Sequence, residues 1–373
     1  MVSKNSRQTH KVILAGGGTA GHVEPALAVG QWLQKNRPEI LCEFVGTAEG
    51  LENHLVPSSG FVLHRIKKVP LPRGLSLRTL AWPFSFLQSV NQAREAIEGA
   101  HVVVGFGGYV CASVYVAARL QKIPIIVHEA NALPGWANRL GVKLGGQPII
   151  AFEKSRSAQS SWANAEIVGI PLRSAIVELS RAEASKREEI KLRKCEEWGF
   201  VLHRPIVLVF GGSQGSQHIN NVIAESRDLI SRSGLQVIHG VGRENILPAA
   251  GDGYKAVHYF DDLPESYIAS DLVISRSGAV TCHELSALGK YALLIPLDIG
   301  NGEQKLNGES LVAAGAAAMV GNREFTAGWL SKHILGLIEA GKKWSSSSHP
   351  AVVPLNAAQR IGNLIIKSLE LHP

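Results

Sequence analysis

One histidine in this chain follows directly on a run of glycines. The stretch "VILAGGGTAGHVEPALAVGQWL", residues 12–33, passes from apolar residues through Gly16, Gly18 and Gly21 to His22 and then into a helical pattern. Glycine lets the backbone take positive φ and approach a ligand closely, and the free N–H groups of a helix start attract an anion, usually phosphate. His22 falls in the first helical turn, where the positive end of the helix dipole disfavours imidazolium. A neutral imidazole beside an anion-binding turn suits a general base acting on a hydroxyl. The plainer reading, equally open at this point, is a residue that only caps the helix or donates to backbone.

The three glycines also match the GxGxxG spacing of a dinucleotide site. Such a site wants an acid about 20 residues on, at the end of the second strand, to hold the ribose. In "LCEFVGTAEG" Glu43 is mid-strand and Glu49 lies past the end, so the nicotinamide reading fails on the position of its acid. No glycine run continues into Gly-Lys-Ser/Thr, which excludes a Walker A loop.

Glu284 stands in the first turns of a helix beginning near Ala279. Its two oxygens can accept both hydroxyls of a ribose; otherwise it is a helix-surface glutamate favoured by the dipole. "HEAN", His128 to Asn131, ends an apolar strand, where α/β proteins bind ligands, and does not extend to HExxH. Asp261 and Asp262 are adjacent rather than spaced as DxD, and no His/Cys/Asp/Glu cluster has ligand spacing, so neither a metal nor any other cofactor is expected. Cys42, Cys111, Cys195 and Cys282 form no CxxC pair and read as inert thiols of a reducing compartment.

These residues need strands and helices to place them. Continuous apolar runs at Val12–Ala15, His101–Val104, Ile123–Val127, Ile206–Phe210, Leu235–His239, Leu272–Ser275 and Ala292–Pro296 read as strands covered on both faces. Segments such as Ala26–Lys35 and Ala279–Leu288 carry helical spacing between them. The expected class is α/β, with doubly wound parallel sheets. Further strand–glycine–helix junctions occur at "GFGGYV" (105–110), "FGGSQGS" (210–216) and "SRSGAVTCHE" (275–284). Any one of them is explained as a tight connection. Several at strand ends, spread over two halves, point to two phosphate-bearing ligands or to one ligand held between two domains.

A chain of 373 residues exceeds one ordinary core. The expected domains are 1–172 and 173–349, with the helix-like end of 350–373 packing back on the first. The charge-dense segment 180–200 reads as a solvated helix and connector. Apolar residues make up 45%, charged ones 18%, and the net charge of +7 favours an acidic partner: phosphates, nucleic acid or an anionic membrane. Aromatics at 6% and the lack of a recognised motif argue against nucleic acid. Residues 65–90 set Arg65, Lys67, Lys68, Arg73 and Arg78 among Leu75, Leu77, Leu80, Trp82, Phe84, Phe86 and Leu87. That mixture suits a surface resting on anionic headgroups better than a loop leading into a core helix. The polar N-terminus is no signal peptide, and no segment approaches the roughly 20 apolar residues of a membrane span, so the protein is expected in the cytoplasm, peripheral to the membrane.

Taken in order, "GGTAGHVEPALA", "VVVGFGGYV", "IPIIVHEAN", "VGIPLR", "FGGSQGS", "RSGAVTCHE" and "GEQKLN" cover nearly the whole chain, and with them it resembles the MurG family of glycosyltransferases. The resemblance implies a GT-B fold, two Rossmann-like domains facing across a cleft. It implies transfer of N-acetylglucosamine (GlcNAc) from UDP-GlcNAc to undecaprenyl-pyrophosphoryl-MurNAc-pentapeptide, lipid I to lipid II, in peptidoglycan synthesis. It also implies a place in a cell-wall or division complex at the cytoplasmic face of the cell membrane. His22 is then the catalytic base. Thr19, Ala20, Gly21, Asn131, Arg173, Ser213, Phe260, Ala279, Val280, Thr281, Glu284 and Gln304 are the expected substrate-binding positions. Gly18, Gly107, Gly108, Tyr109, His128 and Glu129 are the acceptor-side candidates. The sequence departs from the family in Ala20, in "GIPLR", in Cys282 and His283 beside Glu284, and in its longer 180–200 segment. The rival readings are a UDP-GlcNAc 2-epimerase-like enzyme and a non-catalytic nucleotide-sugar-binding protein.

Overall fold

The structure is a computed structural model that describes residues 10–72, 77–298, 302–345 and 353–371, the side chains of 77–80 excepted. In chain order the elements of the first half are β1 (Lys11–Ala15), α1 (Ala20–Asn36), β2 (Leu41–Thr47), α2 (Glu52–Ser58), β3 (Val62–Ile66), α3 (Leu77–Ala96), β4 (Val102–Gly105), α4 (Tyr109–Leu120), β5 (Ile125–Glu129), α5 (Trp136–Lys143), β6 (Gln147–Ile150) and β7 (Glu166–Ile167). There follow α6 (Ser174–Ser180), α7 (Ala184–Trp198), β8 (Ile206–Phe210), α8 (Gln217–Glu225), α9 (Arg227–Arg232), β9 (Gln236–Gly240), β10 (Tyr254–Val257), α10 (Leu263–Ala269), β11 (Leu272–Ser275), α11 (Ala279–Leu288), β12 (Ala292–Leu294), α12 (Glu303–Ala313), β13 (Ala317–Met319), α13 (Ala327–Ser345) and α14 (Ala357–Leu371). The chain divides into two compact units, Met1–Arg173 with Asn356–Pro373, and Ser174–Leu355.

The first unit holds a parallel sheet in the order β3-β2-β1-β4-β5-β6-β7. The strand order reverses direction between β1 and β4, which is where open α/β sheets bind ligands, at the carboxyl ends. Two apolar clusters cover its faces, one including Ile13, Val103, Val127 and Trp162, the other Val12, Val104, Phe44 and Ile361. The helix α14 joins the second cluster through Ile361, Ile365 and Leu369. It approaches α1 so closely that a Cβ on Gly362 would stand 2.2 Å from the Trp32 ring.

The second unit holds a parallel sheet in the order β10-β9-β8-β11-β12-β13, reversing between β8 and β11. Its core gathers Val207, Val209, Ile274, Leu293 and Phe325. The charge-dense segment is not merely solvated: α7 buries Ile190, Lys194, Cys195 and Trp198. Lys194 is enclosed and paired with Glu197, at 2.6 Å, and with Asp262, while Lys191 reaches Asp271 at 2.7 Å. Burying a cation is tolerable because its partners replace water.

In the segment 65–90, Arg65 lies on β3, and α3 leaves Phe84 77% and Leu87 60% exposed. Trp82 turns the other way, stacking on Phe86 at 5.0 Å and donating Nε1–H to the Pro70 carbonyl at 3.0 Å. Arg73 and Leu75, with the side chains of Leu77, Arg78 and Leu80, lie outside the described residues. Among the described residues no helix is long and apolar enough to cross a membrane.

Candidate active site

The parallel ladder sets Ala15 opposite Gly105, so the turns that follow β1 and β4 begin side by side. The Phe106 amide extends the ladder to the Ala15 carbonyl at 2.8 Å. Here the glycines of the second turn have a definite task. Gly107 (φ +102°) and Gly108 (φ +85°) lie against the His22 ring; a Cβ on Gly107 would fall 2.9 Å from Cδ2 of that ring. A Cβ on Gly108 would fall 2.6 Å from the Gly17 carbonyl oxygen. Gly18, Thr19, Ala20, Gly21, His22, Gly107 and Gly108 are therefore brought to one place.

Thr19 caps α1 without a side-chain hydrogen bond to it, and His22 is half-buried in the first turn. His22 Nδ1 stands 3.1 Å from the Gly17 carbonyl oxygen and 3.3 Å from Thr19 Oγ1. Burial pushes its pKa down, opposed by the Gly17 carbonyl and the Glu52 charge. The two readings of His22 turn out to be compatible. Donation from Nδ1 to backbone leaves Nε2 as the basic nitrogen.

Two buried carboxylates brace these turns, and only one was singled out in the sequence. Glu52, on the first turn of α2, accepts the Gly18 amide at 2.9 Å and the Thr47 amide at 2.8 Å. The Gly18 N–H thus has its acceptor within the protein, unlike the amides of Thr19, Ala20, Gly107 and Gly108, which make no hydrogen bond among the described residues. Glu129, at the end of β5, accepts the amides of Asn131 and Gly135, both at 2.9 Å, and Nδ2 of Asn138, also at 2.9 Å. Burial raises the Glu129 pKa while these four donors, the Asn131 side chain included, oppose the rise. Asn138 in turn accepts the Tyr115 hydroxyl at 2.9 Å. His128 turns into the core beside Phe106 and donates Nε2–H to the Gly169 carbonyl at 2.9 Å; burial pushes its pKa down to about 4. Glu129 and His128 thus shape loops from within. Tyr109 opens α4, its ring 6.1 Å from Trp136, and Arg173 is half-buried at the end of the first unit.

In the second unit the ladder aligns Phe210 with Ser275, and Ser275 with Leu294. The residue that ties the ensuing turns together, Arg276, escaped the sequence reading. Its guanidinium donates to Ser216 Oγ at 2.8 Å, to the Ile295 carbonyl at 3.0 Å and to Asn322 Oδ1 at 2.6 Å. Burial lowers its pKa against the pull of Asp298. Ser216 Oγ also caps α8 by accepting the Ile219 amide at 3.4 Å. The amides of Ser213 and Gln214 make no hydrogen bond among the described residues. Ala279, Val280 and Thr281 form the first turn of α11, where helix N–H groups lack partners. Glu284 is 2% exposed and accepts the Tyr267 hydroxyl at 3.1 Å. Phe260 is buried over Gly240, and Gln304, at the start of α12, accepts the Leu297 amide at 3.0 Å. Among the described residues no three His, Cys, Asp or Glu side chains are placed to hold a metal ion.

Both the sequence and the fold are similar to those of known proteins. The model of the glycosyltransferase family 28 N-terminal domain matches residues 12–145, and that of the family's C-terminal domain matches residues 206–360. A UDP-N-acetylglucosamine–N-acetylmuramyl-(pentapeptide) pyrophosphoryl-undecaprenol N-acetylglucosamine transferase of Corynebacterium efficiens is 45% identical over 317 residues, 84% of each chain. The crystal structure of Acinetobacter baumannii MurG superposes with a TM-score of 0.67 at 26% identity, covering 96% of this chain and 99% of that one. A UDP-GlcNAc 2-epimerase of Neisseria meningitidis, bound to UDP-GlcNAc, superposes with a TM-score of 0.63 at 18% identity, over 96% of this chain and 100% of that one, a likeness of fold alone. The two parallel-sheet units, with these matches across both, make the fold GT-B. The chain is a member of glycosyltransferase family 28 and, within it, of the family of UDP-N-acetylglucosamine–N-acetylmuramyl-(pentapeptide) pyrophosphoryl-undecaprenol N-acetylglucosamine transferases.

Proposed function

We propose that this protein transfers GlcNAc from UDP-GlcNAc to the 4-hydroxyl of MurNAc in undecaprenyl-pyrophosphoryl-MurNAc-pentapeptide, with inversion. The observation that carries the reading is His22, whose Nδ1 engages the Gly17 carbonyl and whose Nε2 is left basic. The acceptor hydroxyl gives its proton to Nε2 as its oxygen attacks the anomeric carbon of α-linked GlcNAc. The bond from that carbon to the diphosphate breaks, UDP departs, and a β-1,4 linkage results. The first unit's turns serve the acceptor. Ser213, Ala279, Val280 and Thr281 serve the diphosphate, with Glu284 for ribose, Phe260 for uracil and Gln304 for the sugar. Thr19, Ala20, Gly21, Asn131 and Arg173 complete the substrate contacts of the reading. Charge growing on the leaving diphosphate is met by helix-start amides near the Arg276 guanidinium, so transfer is expected without added divalent metal.

The exposed Phe84 and Leu87, with basic Lys67 and Lys68 nearby in sequence, support a peripheral seat on an anionic membrane surface; the reading sets that seat at the cytoplasmic face, beside a cell-wall or division complex. The deciding experiment incubates labelled UDP-GlcNAc with a lipid I analogue, without divalent metal, and analyses the product linkage. A β-1,4 disaccharide is expected, and His22→Ala should lower kcat by about 10²- to 10⁴-fold with UDP-GlcNAc binding intact. Free N-acetylmannosamine from UDP-GlcNAc alone would select an epimerase instead. Wild-type transfer by His22→Ala would remove the base.

A further inference from the structure

The peptide group joining Gly17 to Gly18 is gripped at both ends by side chains. Its N–H, on Gly18, donates to Glu52 Oε2 at 2.9 Å. Its C=O, on Gly17, meets His22 Nδ1 at 3.1 Å. A carbonyl oxygen only accepts, so the ring nitrogen facing it must carry the hydrogen. Thr19 Oγ1, 3.3 Å from the same nitrogen, fits as a second acceptor. The lone pair of the neutral ring then resides on Nε2.

Glu52 is fixed in this position by its other contacts. It is 0% exposed, and Oε1 takes both the amide and the hydroxyl of Thr47 at 2.8 Å. All of these contacts use it as an acceptor, the role of a carboxylate. The room it occupies exists because three neighbours lack side chains. A Cβ would fall 2.6 Å from Oε1 on Gly17, 2.5 Å from Cγ on Gly46 and 1.9 Å from Oε2 on Gly50.

We propose that Glu52 is a positioning residue for the general base: through the Gly17–Gly18 peptide group it locks His22 in the Nδ1–H tautomer and stabilises the imidazolium formed during transfer. A carboxylate on the N–H end pushes electron density toward the C=O end, strengthening that oxygen as the acceptor for Nδ1–H. Once Nε2 has taken the proton, the ring charge is answered by the anion on the far side of the same peptide plane. Among the described residues, the other elements against the ring bring no competing charge of this kind. Gly107 and Gly108 carry none, and the Cys111 thiol behind them donates to the Gly107 carbonyl at 3.0 Å, its pKa raised by burial to about 12. Glu129 acts from beyond Asn138, and Glu24, two residues along α1, does not share the face of His22.

The proposal rests on His22 being the base, and the experiment separates the two. The pH profile of kcat is measured on the whole protein for wild type, His22→Ala, Glu52→Gln and Glu52→Asp. Glu52→Gln should lower kcat by about 10- to 100-fold, part of the roughly 10²- to 10⁴-fold that a positioned base supplies, and leave KM for UDP-GlcNAc unchanged. It should also move the acidic limb to lower pH, because the imidazolium has lost its counter-charge. Glu52→Asp, which keeps the charge, should hold the limb near its wild-type position although the rate falls; a limb displaced as far as in Glu52→Gln would overturn the proposal. Wild-type transfer by His22→Ala defeats the base reading and the relay with it. Loss of transfer in His22→Ala beside a normal rate and limb in Glu52→Gln overturns the relay alone, as does a reduced rate with an unmoved limb. Should Glu52→Gln not fold, the ¹⁵N spectrum of labelled histidine in the wild-type protein decides: an Nδ1–H ring is expected, and an Nε2–H ring overturns the relay.

Discussion

Each sheet reverses its strand order once, and at both reversals glycine-containing turns are braced by a half-buried or buried charge, of opposite sign in the two units. Between β1 and β4 the brace is a carboxylate, Glu52, which accepts backbone amides. Between β8 and β11 it is a guanidinium, Arg276, which donates to a hydroxyl, a carbonyl and a side-chain amide. The choice has chemical consequences. A carboxylate ties up N–H groups and favours protonation of a nearby imidazole, which suits the base role proposed for His22. A guanidinium engages acceptors and adds positive charge beside the Ser213 and Gln214 amides, which make no hydrogen bond among the described residues, and this suits the diphosphate role proposed for these turns. The same local design, strand then glycine turn then helix, differs in the sign of the charge behind it.

Three perturbations would break or sharpen that contrast. The largest effect should be one in which the units behave alike. Both bury a neutral histidine, His128 and His239, and burial lowers each pKa to about 4. In the unfolded chain each takes up a proton near pH 6.5, so between about pH 6.5 and 4 the unfolded state binds more protons. Stability present above pH 6.5 is then lost as pH falls toward 4, by about 3 kcal/mol for each histidine. Denaturant titrations at pH 7 and pH 4.5 should show the loss, and it should shrink in the His128→Gln, His239→Gln double variant. Equal stabilities for wild type at the two pH values would contradict it.

A smaller effect should fall on one unit alone. Arg276→Gln removes charge-assisted bonds to the turns of the second unit, at a cost of about 2 kcal/mol. Amide hydrogen exchange should quicken in residues 210–225 and UDP should bind more weakly, with exchange around Gly18 unaltered. Undiminished UDP affinity would separate the brace from anion binding. The smallest effect concerns the outer face of the first unit. Phe84→Ala with Leu87→Ala should weaken binding to anionic vesicles by about tenfold, from the apolar area withdrawn. Trp82, turned toward Phe86 and Pro70, should matter less. Unchanged cosedimentation of the double variant would remove this face from the membrane proposal.

How much could be read beforehand followed burial. Ile206–Phe210 and Leu272–Ser275 were legible to the residue because central parallel strands are apolar throughout. The four edge strands β3, β7, β10 and β13 went unread. In β3, β7 and β10, short or half-exposed, the sequence carries neither a continuous apolar run nor a clean alternation, and β13, three residues of an alanine-rich apolar stretch, has no β-branched residue of its own. The helix Ala279–Leu288 was also legible, and so was a helix within 180–200; what its sequence does not tell is that α7 is partly buried, because the partners of Lys194 come from outside its own sequence as well as from within it. At the site, His22 and the glycine turns announced themselves by residue type. Glu52 did not, since "GLENHL" looks like the start of any surface helix until Gly17, Gly46 and Gly50 are seen to make room for its carboxylate.

The sequence by itself determined the parallel α/β class, the glycine turns at strand ends, the family and a histidine at a helix start. Those follow from local chemistry: apolar runs, backbone freedom and residue order along the chain. Only the tertiary structure decided that Gly108 stands against Gly17, that one peptide group links Glu52 to His22, and that an arginine rather than a carboxylate braces the second set of turns. Each of these depends on the register of parallel strands far apart in sequence, and on burial, which sets whether a charge meets water or a chosen partner.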